Sequence, residues 1–385
     1  MNNSWFSNES RRRFLYQLGV AGMSIPFISS GTGCNDADEK SKQQTTANKK
    51  NGEGKLGIAL VGLGGYATGQ LAPALEKTEH CHLAGIVTGT PSKAEEWKKK
   101  YSIPEKNIYT YDNYDSIKDN PDIDIIYVVL PNNMHAEYTI RAAQAGKHVI
   151  CEKPMAISPE ECDQMIAACR QAGKLLSIGY RLHFDPYNAE MIRLAKEKVY
   201  GDLKKISSAF SIKTEKGIWR LDKKMAGGGP MMDVGIYCLQ AVCYMTGLEP
   251  VAVTAQTFPV SDKSKFIDVE ETVNFQMEMP DGFIGECRAS YSEEDCFLRA
   301  DAEKGWFELR PSFFYFDNAG ITSDNKTIKF SGFSQQAKQM DAFALSIKNN
   351  TPSIVPGEMG RRDLRIIEAV YEAMQTGKRV KIAKG

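Results

Sequence analysis

Two residues in this sequence could move a proton next to a redox centre if the fold brought them together. Lys153 stands in Cys151-Glu152-Lys153-Pro154, directly after the stretch Gly146-Lys147-His148-Val149-Ile150 that reads as a strand. An ammonium at the end of such a strand can stabilise a developing alkoxide, or bond a hydroxyl that is losing its proton. A plain surface lysine is the other reading. Tyr237 closes Asp233-Val234-Gly235-Ile236-Tyr237, at the start of an apolar helix expected over 238–245. The helix dipole and an adjacent ammonium would both favour a phenolate there. That makes Tyr237 an acid–base candidate with Asp233 beside it, and the same pattern fits a packed helix tyrosine equally well. His135, in Pro131-Asn132-Asn133-Met134-His135, reads either as a contact to a cofactor ring or as a helix-start residue.

The redox centre itself has a place at residues 55–90. Ile58 to Val61 form a short apolar strand, Gly62, Gly64 and Gly65 follow with Tyr66, and Leu71, Ala74 and Leu75 recur at helical spacing. Strand, glycine turn and helix in that order let a pyrophosphate sit on bare backbone amides at a helix N-terminus. Ala67 takes the usual third glycine position and is small enough for close helix–sheet packing; an ordinary glycine-rich loop is the alternative. Folds that prefer NAD carry an acid about 20 residues past the turn. Here the second strand runs into Thr88, Gly89 and Thr90, with Lys93 close behind. A 2′-phosphate would meet hydroxyls and an ammonium, so NADP is the expected cofactor and NAD the alternative.

These residues need a doubly wound sheet to hold them. Alternating strands and helices over 55–179 supply it, with the run at 123–130 as the central strand and the loop from Pro131 and Asn132 facing the cofactor. A helix is predicted over 92–101, capped by Ser92 with Glu95 completing a capping box. From 180 to 385 a second domain follows: a helix at 187–198, a strand at 204–213, a flexible Gly227-Gly228-Gly229 loop, β-rich runs between 251 and 330, and closing helices at 335–348 and 361–375. The fold class is α/β. With 385 residues, 42% hydrophobic and 25% charged, the chain can build two real cores. Lysine plus arginine and aspartate plus glutamate balance at 48 each, which implies no field for nucleic acid. The nine cysteines have no zinc spacing, so no metal site is expected. No serine nucleophile elbow, phosphate-loop lysine or nucleic-acid module occurs.

The first residues read as an address. Ser10-Arg11-Arg12-Arg13-Phe14-Leu15 opens an apolar segment that continues to Ile28, the pattern of a twin-arginine export signal. Gly31-Thr32-Gly33-Cys34 then looks like a lipoprotein cleavage site with Cys34 as the acylated residue. Residues 1–34 form this signal, and the polar stretch 35–54 a flexible arm or tether. The expectation is an exported protein, periplasmic or membrane-anchored.

The glycine turn, the Pro131-Asn132 loop, Glu152-Lys153-Pro154, the run YRLHFDPYN at 180–188 and GGGPMMDVGIY at 227–237 together resemble the glucose-fructose oxidoreductase and inositol dehydrogenase family. The likeness covers essentially all of 55–380. Many relatives have a histidine where this chain has Tyr237; the tyrosine and the export signal place the likeness in the periplasmic glucose-fructose branch. The resemblance implies a Rossmann domain followed by an α/β domain with a large open, mostly antiparallel sheet, through which subunits pair as dimers or tetramers. It implies a sugar substrate and reversible hydride transfer with NADP. In that scheme Lys153 orients the substrate and lowers the tyrosine pKa, Tyr237 moves the hydroxyl proton, and Arg181 and Asp233 line the sugar pocket. Trp219 and Arg220 select the sugar, while Glu152 and His135 fall on the cofactor side. Export adds the idea of ping-pong exchange between two sugars on a retained cofactor. Two other readings compete: an NAD-dependent glycosidase using transient oxidation on the same fold, and a non-catalytic surface sugar-binding protein.

Overall fold

The structure, a computed structural model, describes residues 54–382. The segments expected to be an export signal with Cys34 and a tether, up to residue 53, lie outside the described residues. The first layer runs β1 (Leu56–Val61), a wide helical turn (Ala67–Leu71) continuing as α1 (Ala72–Leu75), β2 (Cys81–Val87), α2 (Pro91–Tyr101), β3 (Ile108–Tyr109), β4 (Ile125–Val128), α3 (His135–Gln144), β5 (His148–Cys151), α4 (Pro159–Gln171) and β6 (Leu176–Ile178). The strands form a parallel sheet in the order β3-β2-β1-β4-β5-β6. Side chains alternate across it, as the period of two requires. Ile58, Leu60, Ile125, Tyr127 and Ile150 share one core, and Ala59, Val61, Ile126, Val128 and Val149 the other.

The predicted cap of α2 is corrected. Thr90, in extended backbone, takes the N-cap position without a side-chain bond, and Pro91 fills the first helical position. A proline there has its φ already set and lacks only an N–H that would be unpaired anyway, so Ser92 lies inside the helix.

The second layer runs α5 (Pro186–Lys196), β7 (Leu203–Ser211), α6 (Lys223–Ala226), a second wide turn (Met231–Gly235) continuing as α7 (Ile236–Thr246), β8 (Ala252–Thr257), β9 (Thr272–Glu278), β10 (Ile284–Ser290), β11 (Asp295–Ala302), β12 (Gly305–Leu309), β13 (Gly320–Thr322), β14 (Thr327–Ile328), α8 (Gln335–Lys348), α9 (Gly357–Thr376) and β15 (Val380–Lys381). Its sheet has the order β14-β13-β12-β11-β7-β10-β9-β8-β15. Only the β7–β10 pair is parallel. β11 buries Cys296, Leu298 and Ala300 in alternation with Asp295, Phe297, Arg299 and Asp301, a period-two pattern that escapes a sequence reading because its apolar run is only three residues long.

Two features tie the layers. α8 returns to the first sheet: Met340 and Phe343 join Ile58, Leu60 and Trp97 in one core, and Asp341 accepts the N–H groups of Glu79 and His80 at 2.8–3.0 Å. The triple glycine is the second, and here the expected flexible loop is wrong. The Glu270 carboxylate accepts the N–H groups of Gly229 and Met231, each at 2.9 Å, and the Tyr371 hydroxyl at 3.0 Å. A Cβ on Gly229 would lie 2.5 Å from the Glu270 carbonyl oxygen, and one on Gly228 would lie 1.9 Å from the Tyr371 hydroxyl. The glycines are there because other groups pack onto the backbone, which makes a fixed seat for the helix that follows. Gly229→Ala is therefore expected to cost about 1–3 kcal/mol by overpacking, read as a lower midpoint in denaturant unfolding.

Candidate active site

A cleft of about 820 Å³ opens between the layers, beyond the carboxyl ends of β1, β2, β4 and β5, where open parallel sheets bind ligands. All the residues singled out from the sequence line it, but not all face it with a free group.

On the first-layer side Gly62 has φ +96°, and a Cβ there would meet the Val129 carbonyl oxygen at 2.5 Å. Gly64 differs: its Cβ would meet nothing within 4 Å, so it leaves a cradle open towards the cleft beside Gly65. The Tyr66 ring lies 5.8 Å from that of Tyr315, across from the second layer, and its hydroxyl is buried without a partner among the described residues. Open backbone and an orphaned hydroxyl fit a bound dinucleotide. At the end of β2, Thr88 accepts the N–H of Thr90 at 3.2 Å, and Lys93 donates to the Leu63 carbonyl at 3.1 Å, which holds its ammonium over the glycine turn beside Gly89.

Asn132 and His135 act as braces. Asn132 donates to the Ala226 carbonyl at 2.8 Å, tying the loop after Pro131 to the second layer. His135 is 1% exposed; Nδ1 lies 2.8 Å from the Pro154 carbonyl oxygen and Nε2 2.9 Å from that of Leu130. Burial lowers its pKa. Its ring joins the loop after β4 to the loop after β5 at the edge of the cleft. Glu152 accepts the Tyr127 hydroxyl at 2.7 Å and the Lys153 N–H at 3.2 Å, while Gln339 of α8 donates to Tyr127 at 2.7 Å. Burial raises the Glu152 pKa.

The chemical corner is where β5 ends against the start of α7. Lys153 Nζ donates to Asp233 Oδ1 at 2.9 Å and to the Asp233 carbonyl at 2.7 Å, with both side chains largely buried. Asp233 Oδ2 accepts the Tyr291 hydroxyl at 3.0 Å and faces Arg220 Nε at 3.3 Å. Burial pushes the Asp233 carboxyl up, but Lys153 and Arg220 overcome it and hold it well below the usual carboxylate range. Burial also opposes the Lys153 charge; Asp233 and Tyr237 outweigh it and raise its pKa. The Tyr237 ring lies 4.8 Å from Lys153 Nζ and 4.9 Å from Arg181 Cζ, packed against Phe210 and Phe313.

Arg181 lines the cleft from within: it is 2% exposed and donates to Gln335 Oε1 at 2.7 Å and to the Phe313 carbonyl at 2.5 Å. Arg220 lies 4.5 Å over the Trp219 ring, and the two form an outer wall. Tyr291, Tyr315 and Glu270 went unnoticed in the sequence. Tyr291 directly follows a strand end, a signal that could have found it; Tyr315 sits in an aromatic stretch with no period.

Residues 56–180 match the oxidoreductase family's NAD-binding Rossmann fold, 189–308 the GFO/IDH/MocA C-terminal domain, and 314–382 the family's C-terminal α/β domain. The chain belongs to the GFO/IDH/MocA oxidoreductase family. It is similar to the solved aldose-aldose oxidoreductase from Caulobacter crescentus, complexed with glycerol, at 40% identity and a TM-score of 0.82 over 85% of this chain and 99% of that one. Curated relatives include a D-xylose 1-dehydrogenase [NADP(+)] of Haloarcula marismortui, 27% identical over 362 residues (90% of this chain, 97% of that one). A D-glucoside 3-dehydrogenase of Escherichia coli is 24% identical over 351 residues (85% and 97%). As a GFO/IDH/MocA protein the chain is an NAD(P)-dependent oxidoreductase.

Two outcomes follow from this geometry. Gly64→Ala is expected to leave the unfolding midpoint unchanged while weakening NADP⁺ binding about tenfold or more in a fluorescence titration, because its methyl enters only the cradle. Asp233→Asn strands two buried cations and is expected to cost about 3–5 kcal/mol at neutral pH. Asp233 ionises more readily folded than unfolded, so its contribution is complete above about pH 4 and fades as the pH falls further. Acid titration of the variant is expected to show a smaller stability loss over that range than the wild type.

Proposed function

We propose that the chain is an NADP-dependent oxidoreductase that carries a hydride to and from a hydroxyl-bearing carbon of a sugar. The convergence of Lys153 and Tyr237 on the corner of the cleft that the glycine cradle also opens onto carries the reading. The similar proteins named for D-xylose, a D-glucoside and aldoses support a sugar, and the D-xylose enzyme is named for NADP. Thr88, Thr90 and Lys93, with no acid at the end of β2, suit a 2′-phosphate.

Bound NADP supplies the hydride acceptor or donor. The chain supplies the rest. In oxidation the C–H hydrogen leaves as hydride, the hydroxyl proton passes to the Tyr237 phenolate oxygen, and the carbon–oxygen bond becomes a carbonyl; reduction returns both. Lys153 is fixed by Asp233 close to the phenol, where its charge stabilises the oxyanion. Asp233 has both oxygens engaged by Lys153, Tyr291 and Arg220, so it sets the lysine and is not itself the base. Trp219 offers an apolar ring face to the sugar's C–H edge. The proposal includes exchange between two sugars on a retained cofactor, an exported location with Cys34 as a lipid anchor, and pairing through the nine-stranded sheet.

Lys153→Met is expected to lower kcat by about 10²–10⁴-fold while NADP⁺ still binds. The check is reduced-nicotinamide absorbance with D-xylose, D-glucose and methyl glucoside, beside a binding titration. Retained turnover in the variant, or nitrophenol release from nitrophenyl glycosides without net redox, would overturn the dehydrogenase reading.

A further inference from the structure

Three cations line the chemical corner, and they differ in what they are bound to. Lys153 and Arg220 both lie on the single carboxylate of Asp233, so much of their charge is taken up locally. Among the described residues Arg181 forms no ion pair; it donates to the Phe313 carbonyl, Gln335 Oε1 and, at 3.5 Å, the Phe314 carbonyl, and the Tyr237 hydroxyl is within its reach. Glu152 and Asp185 act on it through space without pairing. Its Nε is buried with no partner among the described residues. The guanidinium lies 4.9 Å from the Tyr237 ring centroid and 4.4 Å from that of Tyr315.

We propose that Arg181 serves Tyr237 and not the sugar: its guanidinium fixes the phenol ring and supplies a positive charge, paired to no carboxylate among the described residues, against which Tyr237 accepts a hydroxyl proton. This rests on the reading of Tyr237 as the proton acceptor. An ammonium already paired to a carboxylate presents the phenol with something close to a dipole, whose field falls off faster than that of a lone charge. Arg181 is held by uncharged acceptors, with the nearest carboxylates one residue removed. Gln335 at the start of α8 accepts from it and passes the load to Asp185, which also accepts Asn318 at 3.2 Å. The groups facing Tyr237 are Lys153 from the end of β5, Arg181 from the segment after β6, Tyr66 from the glycine turn and Tyr315 from the 310–318 segment. Asp233, one turn back on the same helix, takes up Lys153. Burial opposes the Arg181 charge, yet the phenols of Tyr237, Tyr315 and Tyr66 keep its pKa above the ordinary arginine value, which agrees with a cation turned towards phenols.

The test reads the phenol directly. Near-ultraviolet tyrosinate absorbance is titrated in NADP⁺-saturated protein, and Tyr237 is isolated by subtracting Y237F from wild type and R181M/Y237F from R181M. The R181M midpoint is expected to lie about 1–3 pH units above wild type. R181K keeps the charge and is expected to return most of that shift. An unmoved midpoint in R181M overturns the proposal, and about a tenfold rise in KM for D-glucose alongside it would make Arg181 a sugar ligand. If R181M does not fold, R181Q, which keeps a polar amide at that position without the charge, is read the same way against R181Q/Y237F: a midpoint about one unit or more above wild type is expected, and an unmoved midpoint overturns the proposal. Y237F separates the two levels. Undiminished sugar oxidation by Y237F sinks the reading of Tyr237 and the purpose given to Arg181. An inactive Y237F with an unmoved R181M midpoint sinks the Arg181 role alone.

Discussion

The site depends on one buried ion pair, Lys153 with Asp233, that joins the end of β5 in one layer to the start of α7 in the other. Taking two charges out of water costs several kcal/mol per ion, and their attraction offsets this only when the remaining bonding positions are filled. Here they are filled. Tyr291 and Arg220 complete the carboxylate, and the Asp233 carbonyl takes a second bond from the ammonium. Such a pair adds little net stability and much geometry. It admits only one register between a strand end and a helix start, and that register sets the phenol of Tyr237 beside the ammonium.

The rest of the second layer makes that register stiff. Glu270 and Tyr371 bind the backbone just ahead of Asp233, and the three glycines are what permits so close an approach. From the other side α8 supplies Gln335 to Arg181 and Gln339 to Tyr127, so one helix braces both the roof over Tyr237 and the buried acid next to Lys153. The two wide helical turns, at Ala67–Leu71 and Met231–Gly235, both stand where a helix enters the cleft, a position such turns often take at functional sites.

How much of this a sequence shows depends on how local the cause is. The glycine turn, the strand that ends in Lys153 and the helix that carries Tyr237 are each written within a dozen residues, and all three stand as read. The parallel sheet follows from apolar runs such as Ile125–Val128, which need no partner to be recognised. What was misread has its cause far along the chain. The triple glycine looks mobile until Glu270 and Tyr371 are seen to press on it, and nothing near Arg181 in sequence shows that Phe313 and Gln335 take up its fork. The carbonyls of Leu130 and Pro154 that meet the two nitrogens of His135 are likewise invisible in its sequence neighbourhood. The three donors that meet Asp233, from Lys153, Tyr291 and Arg220, come from separate segments and leave no trace near it in sequence.

The return of α8 to the first sheet bears on how the molecule is made. Strands from the beginning of the chain receive Met340 and Phe343 as their cover only from its far end. During synthesis domains tend to settle in the order they emerge from the ribosome. In this chain the earliest-made sheet keeps one apolar face partly bare until almost everything else has been translated. A nascent chain halted before α8 would thus be a ready client for chaperones, and the wall built by Arg181 and Gln335 would be among the last parts of the fold to close.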